Sequence, residues 1–154
     1  MHMKYNLEEL VSHKLTTVAF LLKRQNHRLI SKKKVAITPD QWTILYYLWD
    51  KNGLSIGELA NKSKKDCANV TRIIDKLIKY QYIEKRKDSS DARCCRIYLS
   101  EKAHNIQNKI ESCWQESLDI SMQNITPSEQ NTLFSILCKM EENIGIHLKN
   151  NTLK

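Results

Sequence analysis

Three glycines and two prolines in 154 residues leave the chain short of helix-breaking residues, so a mostly helical protein is expected. The same scarcity leaves little material for a glycine-rich phosphate cradle. No His-Glu-x-x-His pattern and no convincing Ser/His/Asp or Cys/His set occurs, and an enzyme is not expected. No apolar run approaches the roughly 18 residues a membrane span needs. Met1 to Leu10 lacks the apolar stretch of a secretory leader, so a cytoplasmic protein without membrane contact is expected. The five cysteines (67, 94, 95, 113 and 138) are an odd count without framework spacing, which reads as reduced thiols. Cys94 and Cys95 are neighbours in a stretch with strand character, where adjacent side chains point to opposite faces and do not easily share a ligand. No second pair has zinc spacing, so neither a metal nor a cofactor is expected.

What the chain has in excess is positive charge. The formal net charge is +8, and it is unevenly placed. Residues 1–53 carry nine Lys/Arg against four Asp/Glu, residues 54–99 eleven against six, and residues 100–154 five against seven. A polyanion would therefore dock on the first two thirds.

Both prolines stand in one context, Thr38-Pro39-Asp40-Gln41 and Thr126-Pro127-Ser128-Glu129. A capping Thr, a Pro at the first helical position and a Gln/Glu reaching back mark two helix starts. Before the first, Leu7, Val11, Leu15, Val18, Leu22 and Leu29 recur at helical spacing, predicting a long helix over about residues 5–31. After it, Trp42, Leu45, Leu48 and Trp49 share one face until Asn52-Gly53 ends the helix. A short helix around Ile56, Leu59 and Ala60 leads to the polar turn Lys62-Ser63-Lys64-Lys65. A second helix follows with Val70, Ile73, Ile74, Leu77 and Ile78 as its buried stripe. Ala68, Asn69, Arg72, Lys76 and Lys79 lie on or beside the opposite face, and either Ser63 or Asp66 could cap it. The period then drops to two. Tyr82 to Arg86 and Cys94 to Leu99 are predicted strands, joined by the polar loop Lys87 to Arg93 into a hairpin with a charged tip. Ser100 caps a fifth helix whose inner face carries Ile106, Ile110, Cys113, Trp114, Ser117 and Leu118. The last helix starts at Thr126 and repeats Leu133, Leu137, Met140, Ile144 and Leu148.

A short helix, a tight turn, a helix with a polar outer face and a basic hairpin form one constellation. A helix fits the B-DNA major groove and offers side chains near its N-terminus to base edges. A hairpin can lay an arginine into the adjacent minor groove, and flanking lysines supply salt-dependent phosphate affinity. Two segments carry a specific likeness. Glu58-Leu59-Ala60 through Asn69-Val70-Thr71-Arg72-Ile73-Ile74-Asp75-Lys76-Leu77 resembles the recognition region of the MarR family of bacterial regulators. Asp88-Ser89-Ser90-Asp91-Ala92-Arg93, followed by Leu99-Ser100-Glu101-Lys102-Ala103, resembles that family's wing, whose pattern is Asp-x-x-Asp-x-Arg, a strand, then Leu-Thr/Ser and a helix. The resemblance spans about residues 7–148.

The resemblance implies a winged helix-turn-helix flanked by long N- and C-terminal dimerisation helices. Residues 1–37 and 100–154 would dimerise, and residues 38–99 would form the DNA-binding lobe. It implies a homodimer on a pseudo-palindromic operator in double-stranded DNA. It also implies repression relieved by a small anionic or phenolic effector, or by an oxidant, acting between the dimer arms and the DNA-binding lobe. On the recognition helix it places Cys67, Ala68, Asn69, Thr71 and Arg72 toward DNA, and Lys65 and Lys76 beside them read by their charge as phosphate contacts. On the wing it matches Arg93 to the minor-groove arginine and Asp91 to the residue that braces it, and Lys87 beside them reads by its charge as a phosphate contact. Gln81 and Ala103 stand where many members have Gly, and Lys64 where a turn Gly or an apolar residue is common. The reactive first-helix cysteine of the peroxide-sensing branch has no counterpart here. The competing reading is an architectural or protein-interaction winged helix without sequence preference. Asn69, Thr71 and Arg72, side chains able to contact bases, argue against it.

Overall fold

The computed structural model describes residues 6–88 and 94–151. A short 3-10 turn (Leu7–Glu9) precedes α1 (Val11–Lys32), α2 (Pro39–Asp50), β1 (Leu54–Ser55), α3 (Ile56–Ser63), α4 (Cys67–Lys79), β2 (Ile83–Lys87), β3 (Cys95–Leu99), α5 (Glu101–Ser121) and α6 (Pro127–Asn151). The chain divides into two compact units, Met1–Ser117 and Leu118–Lys154.

The first helix begins later than its apolar periodicity predicts. Leu10 is extended (φ −74°, ψ 124°) and separates the 3-10 turn from α1. Asn6 caps the 3-10 turn, its side chain accepting from the Glu8 N–H. Both proline-marked starts behave as expected. The Gln41 N–H donates to Thr38 Oγ1 while Gln41 Oε1 accepts from the Thr38 N–H at 2.8 Å. Thr126 and Glu129 make the same reciprocal pair, holding the Glu129 carboxyl below the usual range through hydrogen bonds from Thr126.

The core of the first unit gathers Ile30 from α1, Ile44, Leu45 and Leu48 from α2, Leu59 from α3, Val70, Ile74 and Leu77 from α4, Ile97 from β3 and Ile110 from α5. Trp114 of α5 stacks on Trp42 of α2 at 4.0 Å between ring centroids. Gln25 of α1 donates to Ser117 Oγ at 2.9 Å. In the second unit α6 leaves Leu133, Phe134, Ile136, Ile144, Ile146 and Leu148 exposed.

The sheet has three antiparallel strands in the order β1-β3-β2. The hairpin registers Ile83 with Leu99 and Lys87 with Cys95. The third strand, β1, is only two residues long and pairs Leu54 with Ile97; so short a run carries no periodicity to read. Its approach is set by Asn52-Gly53. Asn52 Oδ1 accepts from the Leu99 N–H at 3.0 Å, and the Gly53 N–H donates to the Ile97 carbonyl. Gly53 has φ +79°, and a Cβ there would lie 3.0 Å from the Tyr98 ring. Both the left-handed backbone and the close approach require glycine. Gly53→Ala is expected to lower unfolding free energy by about 1–2 kcal/mol, whereas Gly57→Ala, whose added Cβ meets only Ser55 Oγ at 4.0 Å within α3, is expected to be neutral or slightly stabilising. Urea titration of both variants checks this.

Candidate nucleic-acid interface

α3 starts with a capping box of its own. Ser55 Oγ accepts from the Glu58 N–H, and Glu58 Oε2 accepts from the Ser55 N–H at 2.8 Å. These hydrogen bonds, with Arg96 and Lys51 nearby, hold the Glu58 carboxyl below its ordinary range against a small desolvation. The Ser-x-x-Glu spacing of this box was visible in the sequence. α3 runs through Ser63, so the turn is narrower than the polar tract suggests. Lys64 takes the left-handed conformation (φ +55°), the backbone that a turn glycine adopts without strain. Gln81, after α4, is likewise left-handed (φ +60°). Gln81 stands where many members of the resembled family have Gly and Lys64 where a turn Gly or an apolar residue is common, and the backbone is left-handed at both.

Of the two capping candidates for α4, Asp66 takes the role. Its Oδ1 accepts from the Asn69 N–H at 2.7 Å, while Ser63 Oγ donates back to the Leu59 carbonyl. α4 packs on α2, α3 and β2 through Val70, Ile73, Ile74 and Leu77, all buried. That orientation leaves Cys67, Ala68, Asn69, Arg72, Asp75, Lys76 and Lys79 exposed along one face. Thr71 is half-buried, and its hydroxyl donates to the Cys67 carbonyl at 2.7 Å, so its donor is used within the helix. Asp75 pairs with Lys85 of β2 at 3.3 Å rather than with Arg72, and Arg72 and Lys76 make no ion pair among the described residues.

Lys65 sits in the turn and is only 24% exposed. Its ammonium lies 3.1 Å from Asp40 Oδ1, while Lys23 of α1 lies 2.8 Å from Asp40 Oδ2. One carboxylate thus joins α1, the first turn of α2 and the turn before α4, a junction that local sequence patterns do not reveal. On the hairpin, Lys87 is exposed at the end of β2. Arg86 pairs with Glu84 and lies over the Tyr98 ring, 4.6 Å from its centroid. Asp91 and Arg93 lie outside the described residues.

A cleft of about 560 Å³ opens beside α4. Phe20, Lys23, Arg24 and His27 of α1, the segment Thr38–Gln41, and Asn69, Arg72, Ile73 and Lys76 of α4 line it. Four of those side chains are Lys or Arg and only Asp40 is acidic, so the cleft suits an anion. Among the described residues no cluster of His, Cys, Asp and Glu could hold a metal ion, and no helix is long and apolar enough to cross a membrane.

Residues 37–95 match the model of the MarR family. The chain is 29% identical over 119 residues to the HTH-type transcriptional regulator YsmB of Bacillus subtilis (strain 168), covering 77% of this chain and 80% of that one. It is 29% identical to the solved MarR protein from Peptoclostridium difficile DA00132, with a TM-score of 0.78 and 94% of each chain covered. A structure of Bordetella bronchiseptica BpsR, whose DNA binding is regulated by 6-hydroxynicotinic acid, shares the fold. Its TM-score is 0.82 at 19% identity, covering 90% of this chain and 98% of that one.

Asp40 is drawn two ways. Desolvation raises its pKa, and hydrogen bonds and charge from Lys23 and Lys65 outweigh that and lower it. A carboxyl whose folded pKa lies below its unfolded value contributes stability above the unfolded pKa and loses it as pH falls through the folded one. Wild type is therefore expected to lose more stability than Asp40→Asn on acidification below about pH 4. The difference stays under about 1 kcal/mol because the Asp40 side chain is itself about a third exposed. Thermal melts of both proteins across pH 2.5–6 check it; parallel curves would contradict the assignment.

Proposed function

We propose, from the premise that this chain belongs to the MarR family and is a DNA-binding transcriptional regulator, that it represses by holding a pseudo-palindromic operator as a homodimer. Residues 38–99 act as the DNA-binding lobe, and residues 1–37 and 100–154 as the dimerisation helices. One observation carries the reading. Val70, Ile73, Ile74 and Leu77 of α4 are buried and Ile78 is half-buried, which turns Cys67, Ala68 and Asn69 outward at the capped N-terminal end and Arg72 and Lys76 outward farther along, on a helix sized for the major groove. Asn69 and Arg72 have the donors and acceptors to read base edges. Lys65, Lys76 and Lys87 supply phosphate affinity. Thr71, whose hydroxyl donor is occupied, offers its methyl group and remaining lone pairs. Arg93, braced by Asp91, enters the flanking minor groove.

The dimer is supported by apolar side chains left exposed in both units, among them Val11, Phe20 and Leu21 in the first and Phe134, Ile144 and Leu148 in the second. Surface of that kind is favourable to bury against a second copy. Two lobes then present their α4 helices about 10 base pairs apart. The cationic cleft supports release by a small anionic or phenolic effector, the chemistry that 6-hydroxynicotinic acid brings to BpsR. Arg72 and Lys76 face the cleft and also stand among the proposed DNA contacts. An anion held there would lower DNA affinity through its preference for the DNA-free arrangement. An oxidant acting on a thiol is the other route to release.

Arg93→Ala is expected to weaken DNA binding by at least about 1 kcal/mol. The measurement is fluorescence anisotropy on a duplex enriched from a random-sequence pool by the wild-type protein, with a scrambled duplex as control. Equal binding of both duplexes would support the non-specific architectural reading instead, and an unchanged Arg93→Ala would remove the wing contact. Light scattering at micromolar concentration is expected to give a dimer mass; a monomer there would remove the two-half-site arrangement.

A further inference from the structure

Arg96 stands on β3 among the basic residues of the hairpin, and charge alone would make it one more phosphate contact. Its hydrogen bonds point elsewhere. Nε donates to Asp88 Oδ2, at the point where β2 gives way to the hairpin loop. Nη1 donates to the Gly53 carbonyl at 3.0 Å and reaches Glu58 Oε2 at 3.4 Å. The acceptors come from three separate segments. The Asp88 side chain is 8% exposed, and the residue is tied to the opposite strand through its own N–H, which donates to the Cys94 carbonyl. Gly53 is the left-handed residue that leads into β1. Glu58 closes the capping box of α3 and also accepts from the Ser55 N–H. Ser55 is in turn the partner of Arg96 in the β1–β3 register.

We propose that Arg96 is a positioning residue for DNA binding: it locks the root of the hairpin to the first turn of α3, so that the wing meets DNA in register with α4. The proposal rests on the reading of α4 and Arg93 as DNA contacts. A planar guanidinium suits this work because its fork can hold acceptors in several directions at fixed angles. Lysine carries the same charge as a single point on a flexible stem and cannot reproduce the fork. Arg86, opposite Arg96 on β2, is engaged with Glu84 and the Tyr98 ring and does not substitute for it.

The test measures affinity for the enriched duplex by anisotropy for Arg96→Lys and Arg96→Gln, each alone and combined with Arg93→Ala. Both single variants are expected to bind about tenfold more weakly, the scale of one lost charge-assisted contact. Because Arg96 acts through the wing, each should add less than about twofold once Arg93 is alanine. Glu58→Gln keeps an acceptor for the Ser55 N–H but weakens the bridge. It is expected to show a smaller loss with the same dependence on Arg93, and it keeps the test open should an Arg96 variant melt below the assay temperature. Recovery of wild-type affinity by Arg96→Lys would mean that charge alone matters, and would overturn the proposal. Losses that multiply in the double variants would mean an independent contact or a general weakening of the fold, and would overturn it too. Arg93→Ala weakened while the Arg96 and Glu58 variants bind normally removes the brace alone. Arg93→Ala equal to wild type removes the wing contact and the brace with it.

Discussion

The apolar stripe of α4 is the constraint on which the rest depends. Val70, Ile74 and Leu77 are completely buried and Ile73 nearly so. Each such side chain contributes roughly 1.5–3 kcal/mol on leaving water. The exposed ion pairs around the same helix, such as Asp75–Lys85, are worth about 0–1 kcal/mol each. Rotation of α4 is therefore set by its inner face, and its outer face is left to serve a partner. Everything else in the lobe holds this helix in place. Asp66 fixes its first turn, the left-handed Lys64 sets its angle to α3, and the sheet supports the opposite side through β2.

The outer face and the cleft share side chains, so the proposed DNA contacts and the proposed effector site overlap. Arg72 and Lys76 line the cleft and extend along the exposed face of α4. Lys65 and Lys23 meet at Asp40, another cleft residue. The Asp40 pair is partly solvated and weak, so little opposes transfer of Lys65 to a DNA phosphate. An anion in the cleft would meet Lys23 on the α1 side of the same carboxylate. Charge at α1 and charge at the turn before α4 are thereby connected through one residue.

Much of this was legible in the sequence because the signals were local. The Thr-Pro-x-Gln/Glu starts, the Val70–Leu77 stripe and the period-two strands each follow from contacts within a few residues. The polar face of α4 was legible for the same reason, since one buried stripe defines the other side. What escaped was set by long-range geometry. β1 exists because Asn52 and Gly53 dock on Leu99 and Ile97 more than forty residues away. Arg96 read as an alternating strand residue, and only the fold brings Gly53, Glu58 and Asp88 around it. The Lys23–Asp40–Lys65 junction spans three elements and leaves no periodic trace. Leu10 interrupted the first helix although the apolar spacing ran through it, because exposed residues there add little packing to hold a continuous helix.

Hydroxyl-radical footprinting on the enriched duplex, paired with methylation interference at guanine N7, tests the central claim most directly. The account predicts a two-fold symmetric pattern. Major-groove interference should fall in two half-sites about 10 base pairs apart, each flanked by a protected minor-groove segment. Even protection along the duplex, without interference at any guanine and without symmetry, would contradict the placement of α4 in the major groove.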